Sequence, residues 1–328
     1  MDHFTAHRLR FQCRAIDIVE LNEHKGSAIR GAFFRALMAA FCLSPLKAAG
    51  QPLPLCTECP FLHTCPVAFL VSTMNPESDH GVTVPRPYTV QPPLGSQTRY
   101  EPGEPLAFGL TLYARAMNLF PYVILAARRF EQDGIGRKVA ENRHRRGRLA
   151  VQAIWAENPL TGERQPVLRQ GEALVSVPNL PIRDAHIRQE SARRAGGGAR
   201  LVVEFQTPTR LVAQKELVKK PLFKPLFQRL LERLEALCRE FTAAPLQADF
   251  RELVRRAEGV RLVDDGTHWV ELRSYSTRLQ RATPIGGFIG HAVYECADWS
   301  PFLPYLLWAQ FTHVGKDAVK GNGWLVVH

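Results

Sequence analysis

Three groups of residues in this chain have the types and spacing that could do chemistry. The first closes the sequence, where His313-Val314-Gly315-Lys316 runs through Lys320 to Gly321-Asn322-Gly323-Trp324. An apolar helical segment, Pro301 to Phe311, precedes it, and a strand-like run, Trp324 to Val327, follows. Glycines let backbone approach a bulky anion with no Cβ in the way, and successive N–H groups form anion-binding concavities. A surface turn needing positive φ would use the same glycines. The second group is a run of one sign, Arg137-Lys138 to Arg143-His144-Arg145-Arg146-Gly147-Arg148, behind Gly134-Ile135-Gly136. Most charge runs are solvated faces, but the single sign and flanking glycines favour contact with a polyanion. The third is Cys56-x2-Cys59, a zinc-knuckle spacing that Cys65 and Cys42 would complete as a tetrahedral thiolate site, with His63 able to replace one ligand. Four protein ligands leave no open position, so such a zinc would be structural. An iron–sulfur cluster meets the same ligand count, and reduced buried thiols need no metal at all.

The bulk composition bounds what these groups can serve. With 328 residues, 45% hydrophobic and 22% charged, the chain is ordinary globular material long enough for two domains. A formal net charge of +11 favours a polyanionic partner; an anionic membrane surface would answer the same charge. No apolar run is long enough to span a bilayer, and the start of the chain has no signal-peptide character, so a cytoplasmic protein is expected. The seven cysteines are odd in number and clustered, unlike a secreted disulfide framework.

The elements that must position these groups follow from periodicity. Phe11 to Val19 reads as a strand, and the polar turn from Asn22 to Gly26 leads to Ser27 at a helix N-cap position. Ile29, Phe33, Ala36, Leu37 and Ala40 then recur at helical spacing. Residues 43–103, rich in Pro, Gly and Cys, read as an insertion. A second strand (106–113), a second helix (118–130) and strands at 149–155 and 165–168 complete the first half. Residues 170–199 read as a linker or flexible loop. The second half restarts with a strand at 201–205 extended by 209–212. An amphipathic helix carries Phe223, Phe227, Leu230, Leu234, Leu237 and Phe241. Next come a hairpin turning at Asp265-Gly266, a strand at 288–294, and a helix capped by Ser300 with Pro301 first. Each half thus gives the βαββαβ order of a ferredoxin-like unit. The expectation is an α+β protein of two tandem ferredoxin-like domains, 1–175 and 200–328, joined by a linker at 176–199, with a basic cleft between them. A doubly wound α/β enzyme fits less well, because no GxGxxG follows the first strand.

Three segments taken together resemble one family. They are Gly26-Ser27-Ala28-Ile29-Arg30-Gly31-Ala32-Phe33-Phe34 with the cysteine cluster behind it; Arg273-Ser274-Tyr275-Ser276-Thr277-Arg278 leading to Ile285-Gly286-Gly287-Phe288-Ile289-Gly290; and the closing glycine loop. Their order is similar to the CRISPR RNA-processing endoribonucleases of the RAMP superfamily, the Cas6 family, in its subgroup with an N-terminal cysteine cluster. The resemblance implies two ferredoxin-like domains that bind the repeat of a CRISPR precursor transcript and cut it once without a metal ion. It implies attack by the 2′-hydroxyl on the adjacent phosphate, a 2′,3′-cyclic phosphate product, and a mature RNA held afterwards. No cofactor for catalysis is implied.

That chemistry needs a base near the 2′-oxygen, an acid near the 5′-oxygen, and cations for the pentavalent charge. In many members the histidine lies just after the first strand, where this chain has His24. Lys25 and Arg30 then become candidate phosphate stabilisers. Ser27 has two readings, a phosphate hydrogen bond and the helix cap. Gly31 inside a helix costs ~1 kcal/mol against Ala, which suggests a close approach there. A surface loop histidine is the plain alternative for His24. His313 is its rival, with a helix C-terminal role as its own plain alternative. The RNA-binding residues implied are Arg137, Lys138, Arg143, Arg145, Arg146, Arg148, Arg278, His313, Gly315, Lys316, Lys320, Gly321 and Gly323. The partners implied are CRISPR repeat RNA and other CRISPR effector subunits, without a membrane. A non-catalytic RNA-binding subunit of an effector complex would share the fold and the loop. A zinc-stabilised DNA-binding regulator lacks a helix-turn-helix signal.

Overall fold

The computed structural model describes residues 1–44, 56, 59–72, 84–172, 174–196, 198–276 and 281–328. The first half is built on strands β1 (Thr5–Ala15), β3 (Tyr88–Gln91), β5 (Pro105–Tyr113), β8 (Leu149–Asn158) and β9 (Glu163–Arg169). They lie in the order β3-β5-β1-β8-β9, every pair antiparallel. The two-residue alternation of β1 sends Leu9, Phe11, Cys13 and Ala15 to one face and Arg8, Arg10, Gln12 and Arg14 to the other. The apolar face is covered by α1 (Lys25–Phe41) and α3 (Phe120–Arg128), whose Ile29, Phe33, Leu37, Val123 and Ile124 join its core. Phe11 stacks on Phe108 at 4.7 Å between centroids, and Phe33 meets both edge-on at 6.0 Å. Truncating a ring such as Phe33 in this core would cost about 3–5 kcal/mol.

The second half repeats the plan. Strands β11 (Arg200–Thr209), β14 (Arg261–Val270), β17 (Gly287–Glu295) and β18 (Leu325–Val327) take the order β14-β17-β11-β18. Helices α6 (Phe223–Phe241) and α8 (Leu303–Thr312) cover one face. In both sheets the first strand of the unit lies between its third and fourth, the split βαβ arrangement of a ferredoxin-like fold. The halves are not independent. Phe4, Ala6 and Tyr113 of the first half lie in the core of the second, and Thr89 Oγ1 and Tyr113 OH both donate to the Phe311 carbonyl, at 3.1 and 3.0 Å.

Several elements differ from the sequence expectation. The stretch read as a linker carries β10 (Ile182–Arg183), which pairs with β1, and α5 (Asp184–Arg194), whose Ile187 is buried in the second core. Asp265-Gly266 is not a turn but the middle of the continuous strand β14. The His291 ring across the pair fills the space beside Gly266, 2.2 Å from where a Cβ would lie. Residues 209–212 do not extend β11 in line; β12 (Leu211–Ala213) turns back on β13 (Glu216–Val218) through Gln214 and Lys215, both at positive φ. Helix α7 (Phe250–Ala257) was missed although Phe250, Leu253, Val254 and Ala257 form a helical stripe packed on the second core and Asp249 caps its start, accepting the Glu252 N–H. The last helix begins at Leu303, not behind a Ser300 cap. The insertion at 43–103 contributes α2 (Pro66–Val71), β3 and β4 (Arg99–Tyr100).

Candidate functional site

The N-terminus of α1 is pressed against the closing glycine loop. A Cβ on Gly26 would lie 1.8 Å from the Lys320 carbonyl oxygen, so only glycine permits this approach. Thr207 Oγ1, on β11, donates to the Gly321 carbonyl at 2.7 Å and accepts from Trp324 N–H at 3.0 Å, fixing the loop from the other side. Two segments from opposite ends of the sequence therefore meet at one point, and His24 occupies it.

His24, not Ser27, caps the helix: its Nδ1 accepts the Ser27 backbone N–H at 3.3 Å. The Ser27 hydroxyl, one turn into the helix, lies 2.8 Å from the same Nδ1 and 3.4 Å from the hydroxyl of Ser274, on β15 (Arg273–Ser276). On the opposite side of the ring, Nε2 is hydrogen-bonded to Asn322 Oδ1. Asn322 is itself oriented by donation from Nδ2 to the Ile285 carbonyl at 2.8 Å. Because Nδ1 receives an amide proton, the network assigns the ring proton to Nε2 and leaves a neutral imidazole with an Nδ1 lone pair. His24 is only 7% exposed, and burial lowers its pKa below the ordinary histidine value, against the Asn322 hydrogen bond that raises it. Lys25 donates to the carbonyls of Gly95 (2.6 Å) and Pro93 (3.4 Å), and burial lowers its pKa too. The Arg30 guanidinium lies 5.3 Å from the centroid of the Phe34 ring, and its buried Nε has no hydrogen-bond partner. Gly31 meets only the flexible Arg35 side chain, so no close approach explains it.

The rival histidine is placed differently. His313 is 0% exposed, stacked 6.2 Å from Trp324 at 10°, and donates from Nδ1 to the Asn322 carbonyl at 3.2 Å. Burial and the neighbouring Arg233 push its pKa down to about 3, so it is neutral and does not contact solvent. The loop glycines serve packing as well. A Cβ on Gly323 would meet the Val314 carbonyl oxygen at 1.8 Å, one on Gly321 would meet Pro92 at 2.7 Å, and one on Gly315 would meet the Arg210 carbonyl oxygen at 2.5 Å. Lys320 pairs with Asp317 at 2.8 Å, while Lys316 stands exposed. The bland reading of these glycines, positive φ and close packing, accounts for most of them.

The basic run forms a hairpin, β6 (Ile135–Val139) with β7 (Arg145–Gly147). It lies on β2 (Val19–Glu20), the segment just before His24. Cβ atoms on Gly136 and Gly147 would collide with the Glu20 and Ile18 carbonyl oxygens at 2.1 and 2.2 Å. Arg137 is tied to Glu20 and Arg148 to Asp17, and Arg146 donates to the Gly136 carbonyl. Lys138, Arg143 and Arg145 are exposed. Arg278 lies outside the described residues.

Cys42, Cys56, Cys59 and Cys65 line one cavity of ≈ 30 Å³, next to α2. Burial and then the three neighbouring thiols raise the Cys56 pKa, and Cys65 Sγ accepts the Ala68 N–H at 3.5 Å. Among the described residues no three His, Cys, Asp or Glu side chains stand in metal-holding geometry. His63 is exposed and does not line the cavity.

Sequence reasoning missed Asn322 and Ser274 as site residues. Both lay inside motifs it had singled out, and an Asn between two loop glycines, where the chain has no helix or strand to satisfy, was the signal for the first.

Two family models match the chain: AF_1859_N, described as an N-terminal domain, over residues 4–180, and the CRISPR-associated endoribonuclease Cas6 over 203–325. No curated protein matches it in sequence. Among solved structures it is similar to the Cas6 (TTHB231) product complex, with TM-score 0.55, 15% identity and 99% of each chain covered. Thermus thermophilus Cas6 (TTHB231) gives 0.53 and 13%, again over 99% of each chain. A chain of a partial Cas6-RT-Cas1–Cas2 complex gives 0.58 and 12%, covering 100% of this chain and 46% of that one. The tandem ferredoxin-like fold is shared with all three, and the second half of the chain, residues 203–325, belongs to the CRISPR-associated endoribonuclease Cas6 family.

Proposed function

We propose that this protein cuts a CRISPR precursor transcript within its repeat, without a metal ion, and holds the mature RNA afterwards. The observation that carries this reading is the junction of α1 with the glycine loop around a neutral His24. In the proposed step the 2′-oxygen bonds to the adjacent phosphorus as the bond from phosphorus to the 5′-oxygen breaks. His24 Nδ1 takes the 2′ proton, with Ser27 yielding or relaying that position. Lys25, made a readier acid by burial, gives a proton to the 5′-oxygen. Arg30 and the amides at the start of α1 offset the charge on the pentavalent phosphorus. The product ends in a 2′,3′-cyclic phosphate and a 5′-hydroxyl.

One observation favours a second reading. Both His24 nitrogens are engaged and the ring is nearly buried, as suits a residue that only pins the two halves of an RNA-binding subunit. Labelled repeat RNA incubated with wild type and His24→Ala in excess EDTA separates the two. A single cut with a cyclic-phosphate end, lost in the variant while binding persists, supports the enzyme. Binding without any cut by wild type establishes the subunit. In either case the proposed partners are CRISPR repeat RNA and other CRISPR subunits, by likeness to the product complex and the Cas6-RT-Cas1–Cas2 complex. Among the described residues no helix is long and apolar enough to cross a membrane.

For the cysteines we propose structural zinc, which would draw the four thiolates together in the cavity they share. Metal analysis of purified protein and of Cys56→Ser tests this: about one zinc per chain, lost in the variant with a lower unfolding temperature, supports it. Iron with visible absorbance would make it a cluster, and a metal-free protein of undiminished stability would make the thiols plain core.

A further inference from the structure

Among the described residues, one edge of the two main sheets is left open. The glycine loop abuts β3, where a Cβ on Gly321 would lie 2.9 Å from the Val90 carbonyl oxygen. On β9, the Val167 carbonyl accepts the Ser176 N–H at 2.9 Å. On β18, Gln310 Oε1 takes the Val327 N–H at 3.3 Å, and Arg194 donates to the Val327 carbonyl at 2.6 Å. Strand β14 ends the second sheet and is ten residues long, and among the described residues no strand pairs with its outer side. A long open edge invites pairing with another chain, and proteins ordinarily blunt it with charge or a bulge. β14 has both, in the exposed Asp264 and Asp265 and in the bulge at Val263. Asp265 Oδ1 takes the Thr267 N–H at 3.1 Å and the Thr267 hydroxyl at 2.6 Å, so this amide is held by a side chain of its own strand.

The groups that would repel a foreign strand match a second copy of β14. Laid antiparallel about a two-fold axis at Gly266, the strand puts Asp264 opposite His268, Asp265 opposite Thr267, and Gly266 opposite itself. Asp264 lies 3.4 Å from Nε2 of its own His291 and its side chain is still 63% exposed, so it can also meet the exposed His268 ring of a second copy. Carboxylate facing imidazole is a favourable cross-strand pair, and two-fold symmetry makes it twice. The Thr267 N–H then passes from the Asp265 side chain to the Asp265 carbonyl of the second copy. Asp265 and Thr267 thus exchange backbone bonds, which leaves the axis at a pair without them, where two strands approach most closely. A glycine there has no side chain to clash across the axis, and the His291 ring already fills the space beside it. We propose that two copies of this chain associate edge to edge through β14, joining two four-stranded sheets into one of eight strands. The bulge at Val263 confines the pairing to residues 264–268, so the contact is small and the association weak and concentration-dependent. It does not depend on what His24 does.

The test is analytical ultracentrifugation of the full chain without RNA, from about 1 to about 100 μM. Wild type passes from monomer toward dimer across this range. Thr267→Pro removes an amide of the open edge and gives a monomer throughout. Asp264→Lys sets a cation against His268 twice in each dimer and raises the dissociation constant about tenfold; adding His268→Asp restores it. Thermal melts check that each variant is folded, and if Thr267→Pro is not, the two Asp264→Lys variants decide. The register is read by mixing Asp264→Cys chains with His268→Cys chains under mild oxidation and mapping the linked peptides. A disulfide joins position 264 of one chain to position 268 of the other, and neither variant alone links to its own copy at the new cysteine. A wild type that stays monomeric overturns the proposal. So does a dissociation constant unmoved by Asp264→Lys, or a link from position 264 to position 264.

Discussion

His24 and Asn322 stand 298 residues apart in the sequence and share a hydrogen bond, from Nε2 to Oδ1, with Asn322 wholly buried. The asparagine orients the imidazole from the side opposite Ser27 and so sets which nitrogen keeps a lone pair. Asn322→Ala is expected to strand His24 Nε2 and the Ile285 carbonyl, at about 1–3 kcal/mol for each unsatisfied group. Single-turnover cleavage should fall by up to about 10⁴-fold, the loss that follows when a catalytic histidine is left in the wrong tautomer. Asn322→Asp keeps the acceptor and adds a negative charge, so it should move the acid limb of the pH–rate profile upward. Urea unfolding and pH–rate profiles on both variants distinguish orientation from mere loss of stability.

The histidines also predict how stability depends on pH. Burial lowers His24, takes His7 from 6.5 to about 4 and His313 from 6.5 to about 3. Their unfolded forms therefore bind more protons than the folded ones between pH 6.5 and those values. The stabilisation is full above pH 6.5 and is lost as pH falls through 6.5 toward the folded values. The unfolding temperature should be flat from pH 8 to 7 and fall between pH 6.5 and about 4.5, before carboxylate titration dominates. His7→Gln should flatten part of that fall. An unfolding temperature unchanged from pH 7 to 4.5 would contradict the buried neutral histidines.

Two glycines of α1 should respond to the same substitution with opposite signs. Alanine is the better helix former by ~1 kcal/mol. At Gly31 the new Cβ would meet only Arg35 Nη1, at 3.4 Å, and Gly31→Ala should raise stability by up to about 1 kcal/mol. At Gly26 the Cβ would lie 1.8 Å from the Lys320 carbonyl oxygen, a backbone atom that cannot step aside. Gly26→Ala should therefore destabilise the protein and uncouple α1 from the glycine loop, with cleavage lost before global unfolding. Thermal melts of the two variants decide the point directly.

The same pair shows what could be read in the sequence. The stripes of α6 and α1 and the alternation of β1 depend on local periodicity, and the βαββαβ order in each half followed from them. The position of His24 before a helix was equally plain. What the histidine touches was not, because Asn322 and Ser274 reach it through sheet topology rather than spacing. Gly26 and Gly323 looked like anion-cradle or turn glycines and proved to be contact points between backbones. Asp265-Gly266 carried the strongest hairpin signal of the second half, yet pairing with β17 across both residues overrode it.

The hairpin of β6 and β7 gives the last prediction. Gly136 and Gly147 let it pack directly on β2, the segment just before His24, and Arg137, Arg146 and Arg148 are engaged within the protein. Lys138, Arg143 and Arg145 are the exposed cations left to meet phosphates. Replacing all three by Ala should weaken repeat RNA binding and lower the slope of log affinity against log salt by about 2, at ~0.7 for each single-strand contact. Arg148→Ala should instead act mainly through the Asp17 pair, whose exposure to solvent leaves it little weight in stability, and leave the salt slope nearly unchanged. Titrations at several salt concentrations separate the two. A triple variant with the wild-type slope would mean that the hairpin supports β2 without touching RNA.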